Sequence, residues 1–119
     1  DLLSKAFKGR RSKYFIIEDK GKILGGAGIN PLKESNRRVC ELQKMYFEKE
    51  ARGKGWGEIM IDLCLNHAKE NNFNTCYIET MSFMKAAQKL YLKKGFIHTD
   101  KPMGGTGHTN CDVWMKKHV

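Results

Sequence analysis

No apolar run in this chain approaches the length needed to cross a bilayer, and no charged-then-apolar leader opens it, so the sequence reads as soluble. Its four cysteines, Cys40, Cys64, Cys76 and Cys111, form no Cys-x-x-Cys pair and no disulfide-style spacing. They read as reduced thiols of a cytosolic protein, so a cytoplasmic location is expected. A metal site is not expected either: His108 and Cys111 are two possible ligands without a second pair, short of the usual zinc set. No repeat, low-complexity tract or linker breaks the chain. With 119 residues and 40% hydrophobic content it can bury one core but is short for two, so one domain over residues 1–119 is expected. Missing too are a Gly-Lys-Ser/Thr phosphate loop and a Gly-x-Gly-x-x-Gly opening a long βαβ unit. Those absences argue against a nucleoside triphosphatase and a dinucleotide dehydrogenase.

What the chain does have is Arg52-Gly53-Lys54-Gly55-Trp56-Gly57, between a strand-like run, Val39 to Phe47, and a helix-like run, Trp56 to Asn71. A glycine-rich turn that opens a helix points several backbone N–H groups at one spot, and the helix dipole adds partial positive charge there. Each glycine lets the backbone approach a ligand that a Cβ would push away, while Arg52 and Lys54 add mobile charge. The stretch reads as a phosphate seat.

The rest of the chain supplies a scaffold for that seat. Leu2, Leu3, Ala6 and Phe7 form a short helical stripe that Gly9 ends. The runs 14–18 and 22–29 flank Asp19-Lys20-Gly21 and predict a hairpin. After the seat, Trp56, Ile59, Met60, Leu63, Cys64 and Ala68 lie on one helical face. A strand at Cys76–Glu79 precedes a second helix with Met84, Ala87, Leu90 and Tyr91 on its apolar face and Gly95 as its left-handed cap. Two final strands are expected around Phe96–His98 and Val113–Met115. A mixed sheet covered by helices is the simplest packing. His67 reads as a histidine at the helix surface or core edge.

Arg52, Gly55 and Gly57 resemble the Arg-x-x-Gly-x-Gly acyl-CoA pyrophosphate loop of the GNAT superfamily of N-acetyltransferases. The segment from Ala87 through Leu90, Tyr91, Gly95 and Phe96 resembles that family's Ala-x-x-Leu-Tyr-x-x-x-Gly-Phe signature, at the family's usual separation. The resemblance runs from about Tyr14 to Lys116. It implies an α/β fold with a mixed, mostly antiparallel central sheet flanked by helices. It also implies an N-acetyltransferase that moves acetyl from acetyl-CoA to a primary amine, directly, in a ternary complex.

A thioester is attacked by a neutral amine, and free alkylamines hold their proton until about pH 10, so a base must take it. An acid inside an apolar strand is costly unless something uses it, which singles out Glu41. Glu41 lies eleven residues before Arg52, where several family members carry a glutamate base. The alternative is a strand-edge Glu41 paired with a lysine such as Lys44. For Tyr91 the resemblance implies a hydroxyl that stabilises or protonates the leaving thiolate; without it, Tyr91 would be a core aromatic with its hydroxyl at a pocket edge. It further implies that the backbone of Met45, Tyr46 and Phe47 binds the pantetheine arm, and that the loop Arg52, Gly53, Lys54, Gly55, Trp56 and Gly57 holds the pyrophosphate.

Three departures stand out. Glu48-Lys49-Glu50 replaces the proline that often precedes the loop, and Met84 replaces a common asparagine. The chain also opens on what resembles the family's second helix, so the first strand and first helix look missing, as in a fragment or a naturally short variant. The net charge of +9, from 22 Lys and Arg, has two readings: coenzyme A phosphates, served by Arg52, Lys54, Lys44, Lys49, Lys93 and Lys94, or nucleic acid. Aromatic residues are not interleaved with the basic ones, which favours coenzyme A. A small-molecule acceptor is preferred to a protein, a homodimer is left open, and an acyl-CoA-binding module without turnover is the rival. His108, Asn110 and Asp112 either reach the acceptor or simply form a turn.

Overall fold

The structure, a computed structural model, describes residues 11–33, 35–105 and 111–119. The helical stripe expected over Leu2 to Phe7, together with His108 and Asn110, lies outside the described residues. Strands β1 (Lys13–Asp19), β2 (Lys22–Pro31) and β3 (Val39–Phe47) come first, then a 3-10 turn (Lys49–Ala51) and helix α1 (Trp56–Glu70). Strand β4 (Thr75–Thr80), helix α2 (Lys85–Lys93), β5 (Ile97–His98) and β6 (Val113–His118) complete the order. One six-stranded sheet runs β1-β2-β3-β4-β6-β5. Among the described residues only the β3–β4 pair is parallel; the others are antiparallel.

The predicted hairpin forms, with Asp19 opposite Lys22. Its two loop residues, Lys20 and Gly21, take φ of 51° and 81°, the pair of positive values that suits a right-handed twist. The sheet's two faces then divide by the period of two. Ala27, Ile29, Cys40, Leu42, Cys76, Ile78 and Met115 meet Met60, Ile61, Cys64 and Ala68 of α1 and Tyr91 and Phe96 of the α2 region to form the main core. Leu32, Val39 and Tyr77 form a smaller cluster, packed against Met103 and Trp114. The cysteines are free thiols, and three of them are fully buried.

The face of α1 that meets the sheet is turned slightly from the predicted one. Ile61 is fully buried while Ile59 and Leu63, expected inside, stay 46% and 40% exposed. Spacing alone admits either stripe; contact with β2 selects the one centred on Met60, Ile61 and Cys64. On α2, Gln88 is buried with Tyr91, its amide donating to the Met81 carbonyl at 2.8 Å, whereas Met84 caps the helix and is exposed.

Part of the basic surface has structural work. The Arg11 guanidinium sits 3.7 Å over the Phe73 ring and donates to the carbonyls of Asn71 and Arg37 at 3.0 and 2.7 Å. His67 lies at the helix edge, its Nε2 3.1 Å from the Arg11 carbonyl oxygen and its ring edge-on to Phe15.

Candidate functional site

β3 and β4 pair only at Val39 with Thr75, Cys40 with Cys76, and Glu41 with Tyr77. Beyond Glu41, β3 turns with β2 and leaves β4. The register between β2 and β3 slips there: Gly26 opposes Tyr46, but Gly28 opposes Gln43. The extra residue falls at Lys44 and Met45, and Lys44 takes a left-handed φ of 54°. Tyr14 reaches across β2 to hold this bulge, its hydroxyl donating to the Lys44 carbonyl at 3.0 Å. Gly26 leaves room for that ring, since a Cβ there would stand 2.6 Å from the hydroxyl and 2.7 Å from Cε2. The sheet therefore opens between β3 and β4, and Met45, Tyr46 and Phe47 line one side of the opening.

The opening leads to the glycine-rich loop. Gly53 and Gly55 take φ of 73° and 82°, and neither would meet another atom within 4 Å through a Cβ. Gly55 is the residue on which α1 begins. Among the described residues, the N–H groups of Gly53, Lys54, Gly55, Trp56, Gly57 and Glu58 find no backbone acceptor. Six consecutive donors at the start of a 15-residue helix make a cradle for an anion. Gly57 also has a packing reason to be glycine: a Cβ there would lie 2.7 Å from Leu90 Cδ2, so it serves the packing of α2 on α1. Arg52 folds back and donates from Nε to the Phe47 carbonyl at 3.1 Å, closing the loop on the end of β3.

Two lysines grouped with this charge on sequence grounds are paired elsewhere. Lys93 meets Glu58 at 3.0 Å and Lys94 meets Asp62 at 2.9 Å, tying the end of α2 to α1. Arg52 and Lys54 form no direct salt bridge among the described residues.

Glu41 lies on the face away from the helices, in a strand with neighbours on both sides, and is 2% exposed. The strand-edge alternative is thereby excluded. Its Oε1 accepts from Gln43 Nε2; Gln43 Oε1 accepts from Asn30 Nδ2 at 3.1 Å, and Asn30 Oδ1 accepts from the Ser12 hydroxyl. On β4, the Tyr77 hydroxyl donates to Glu79 at 2.6 Å and accepts from the Met103 N–H. Burial, then the Glu79 bond, hold the Tyr77 phenol well above its ordinary range. Gln43 and Asn30 escaped the sequence reading, although the alternation from Glu41 to Gln43 places both of those residues on one face.

Tyr91 comes from α2, on the helix-covered side. After Gly95, at φ 95°, the chain doubles back so that the Phe96 N–H donates to the Tyr91 carbonyl at 3.0 Å and the Gly95 N–H to the Leu92 carbonyl at 3.1 Å. The Phe96 ring then lies 5.8 Å from the Tyr91 ring. That explains the Leu-Tyr-x-x-x-Gly-Phe spacing physically. Burial, with the Cys76 and Cys64 thiols beside it, pushes the Tyr91 phenol up to about 12. Asp112 turns out to brace a loop: its Oδ1 accepts the Ser82 N–H at 2.8 Å, which holds its carboxyl below the usual range.

Residues 1–96 match the family model of the acetyltransferase (GNAT) family. An uncharacterized N-acetyltransferase of Escherichia coli (strain K12), YjgM, is 40% identical over all of this chain and 71% of that protein. Among solved structures, an acetyltransferase of the GNAT family from Staphylococcus aureus Mu50 superposes with a TM-score of 0.86 at 20% identity, over 98% of this chain and 73% of that one. A GNAT superfamily phosphinothricin acetyltransferase from Sinorhizobium meliloti, solved with AcCoA, gives 0.80 at 19% identity, over 99% of this chain and 66% of that one. With the parted strands, the glycine loop and the Tyr91 helix in family order, the chain belongs to the GNAT family of acetyltransferases.

Proposed function

We propose that this protein transfers acetyl from acetyl-CoA to a primary amine of a small molecule, by direct attack in a ternary complex. The observation that carries the reading is the run of acceptor-free N–H groups from Gly53 to Glu58, among the described residues, at the mouth of the β3–β4 opening. In this reading the pyrophosphate sits on that run, with Arg52 and Lys54 beside it and Trp56 and Gly57 in the first helical turn. The pantetheine arm lies along the backbone of Met45, Tyr46 and Phe47, which brings the thioester between Glu41 and Tyr91. No side chain need bond covalently to the acetyl group, so most of the rate gain comes from holding amine and thioester together.

Glu41 receives the ammonium proton, directly or through water. Tyr91 faces the leaving sulfur. Its hydroxyl stabilises the developing thiolate by donating a hydrogen bond, or protonates it.

The test is calorimetric titration with acetyl-CoA of the parent, Gly55→Glu and Gly55→Asn. Asparagine tolerates the left-handed backbone and adds no charge, so it retains binding, whereas glutamate abolishes it. An amine screen with Glu41→Gln as control follows. Equal binding by the parent and Gly55→Glu would overturn the cofactor seat; binding without transfer to any amine would favour an acyl-CoA-binding module instead.

A further inference from the structure

Gln43 Nε2 donates to Glu41 Oε1, and that bond sets the sense of the bonds that lead from Gln43 through Asn30 towards β1. Gln43 must offer Nε2 to Glu41, so its Oε1 is left as an acceptor, and Asn30 Nδ2 fills it. Asn30 Oδ1 is then also an acceptor, and the Ser12 hydroxyl fills that. Asn30 and Glu41 are register partners on adjacent strands, and Gln43 shares their face of the sheet. Asn30, Gln43 and Ser12 are each half-buried, so water competes only partly for these bonds.

We infer that Gln43 is a positioning residue for Glu41 and that Asn30 sets the orientation of the Gln43 amide. This rests on the reading of Glu41 as the base. A flipped Gln43 would turn Oε1 towards the carboxylate, repelling it and releasing the side chain from its place. Asn30 prevents that flip because its Nδ2 needs Oε1 on its own side. The relay works by geometry and polarity, and no proton moves along it.

Asn30→Asp tests it, since it keeps the shape but replaces the donor with an acceptor. Gln43 then satisfies the new carboxylate only by flipping. Turnover of acetyl-CoA, read as thiol release against a panel of alkylamines, diamines and amino-acid amides, is expected to fall at least tenfold in Asn30→Asp. The KM for acetyl-CoA stays unchanged, and Asn30→Leu loses only two- to threefold. In a Gln43→Met background, Asn30→Asp causes no further loss. A purely structural role would rank the isosteric aspartate above leucine, and a simple charge effect would persist in the Gln43→Met background; either result overturns the inference. A second readout needs no substrate: the side-chain amide resonances of Gln43 in nitrogen-15 spectra move in both Asn30→Asp and Glu41→Gln. Unmoved resonances in Asn30→Asp overturn the relay, whereas moved resonances with unimpaired turnover in Glu41→Gln overturn the base and leave the geometry standing.

Discussion

Gly57 on α1 and Leu90 on α2 meet so closely that a Cβ on the glycine would lie 2.7 Å from Leu90 Cδ2. The contact joins the helix that opens on the glycine loop to the helix that carries Tyr91, and so sets the distance between the two halves of the proposed site. Because the opposing atom is the tip of a flexible side chain, Gly57→Ala should fall within about 1 kcal/mol of the parent, the helix propensity of alanine offsetting the shift of Leu90. Gly57→Val has two further carbons to place and should cost about 1–3 kcal/mol. In urea denaturation, Leu90→Ala combined with Gly57→Val should cost less than the sum of the two single changes. Strict additivity would show that the two side chains do not compete for this space.

The bulge at Lys44 rests on Tyr14. Tyr14→Phe removes the bond to the Lys44 carbonyl and should cost about 1 kcal/mol. Gly26→Ala pushes the ring itself away, the new Cβ lying 2.6 Å from the hydroxyl position, and should cost about 1–3 kcal/mol. If the bulge holds β3 away from β4, both variants also weaken acetyl-CoA binding in calorimetry. Unchanged affinity in Gly26→Ala would show that the opening survives without Tyr14.

Tyr91→Phe keeps the ring against Phe96 and deletes only the hydroxyl. Stability should stay within about 1 kcal/mol of the parent. Turnover should drop about a hundredfold with acetyl-CoA affinity unchanged, the mark of an interaction made in the transition state. With the phenol near 12, the parent should show no loss of activity from Tyr91 ionisation between about pH 7 and 10. A parent activity that falls through about pH 9 in step with a Tyr91 spectroscopic titration would contradict this.

Alkaline stability follows from several acids whose folded values are raised, Cys64 and Tyr91 among them and Cys76 beside them. Burial moves the Cys64 thiol from 9.0 to about 12, and the Tyr91 phenol from 10.0 to about 12. The unfolded chain releases these protons first, so the folded state binds more protons and stability falls as pH rises. The contribution is fully present below about pH 9 and is lost progressively up to about pH 12. Each group steepens the fall by about 1.4 kcal/mol per pH unit within its window. Urea midpoints should be level from about pH 7 to 8 and decline from about pH 9 to 11, and Cys64→Ala should make the decline that begins near pH 9 shallower, leaving the share of Cys76. A level profile through about pH 11 in the parent would contradict the burial assigned to both groups.

The hairpin at Lys20-Gly21, the loop from Arg52 to Gly57, the two helices and the cap at Gly95 were legible in the chain because each depends on residues a few positions apart. Local backbone chemistry decides them: which residue tolerates a positive φ, where a helix starts, and where it stops. The face of α1 was legible only to within one residue, since Ile59 and Ile61 sit on either side of the same stripe and the sheet chooses between them. Gly57 also meets Leu90, a contact that lies across space and that no local pattern announces. The bond from Tyr14 to the bulge at Lys44 and the pairing of Lys94 with Asp62 span 30 and 32 positions. The path from Ser12 to Glu41 likewise runs from the residue before β1 through β2 to β3. Chain order was enough to settle which segments fold and which chemical groups they carry. Which of those groups meet was settled only in three dimensions, because strand register and helix packing bring together side chains that chain order leaves apart.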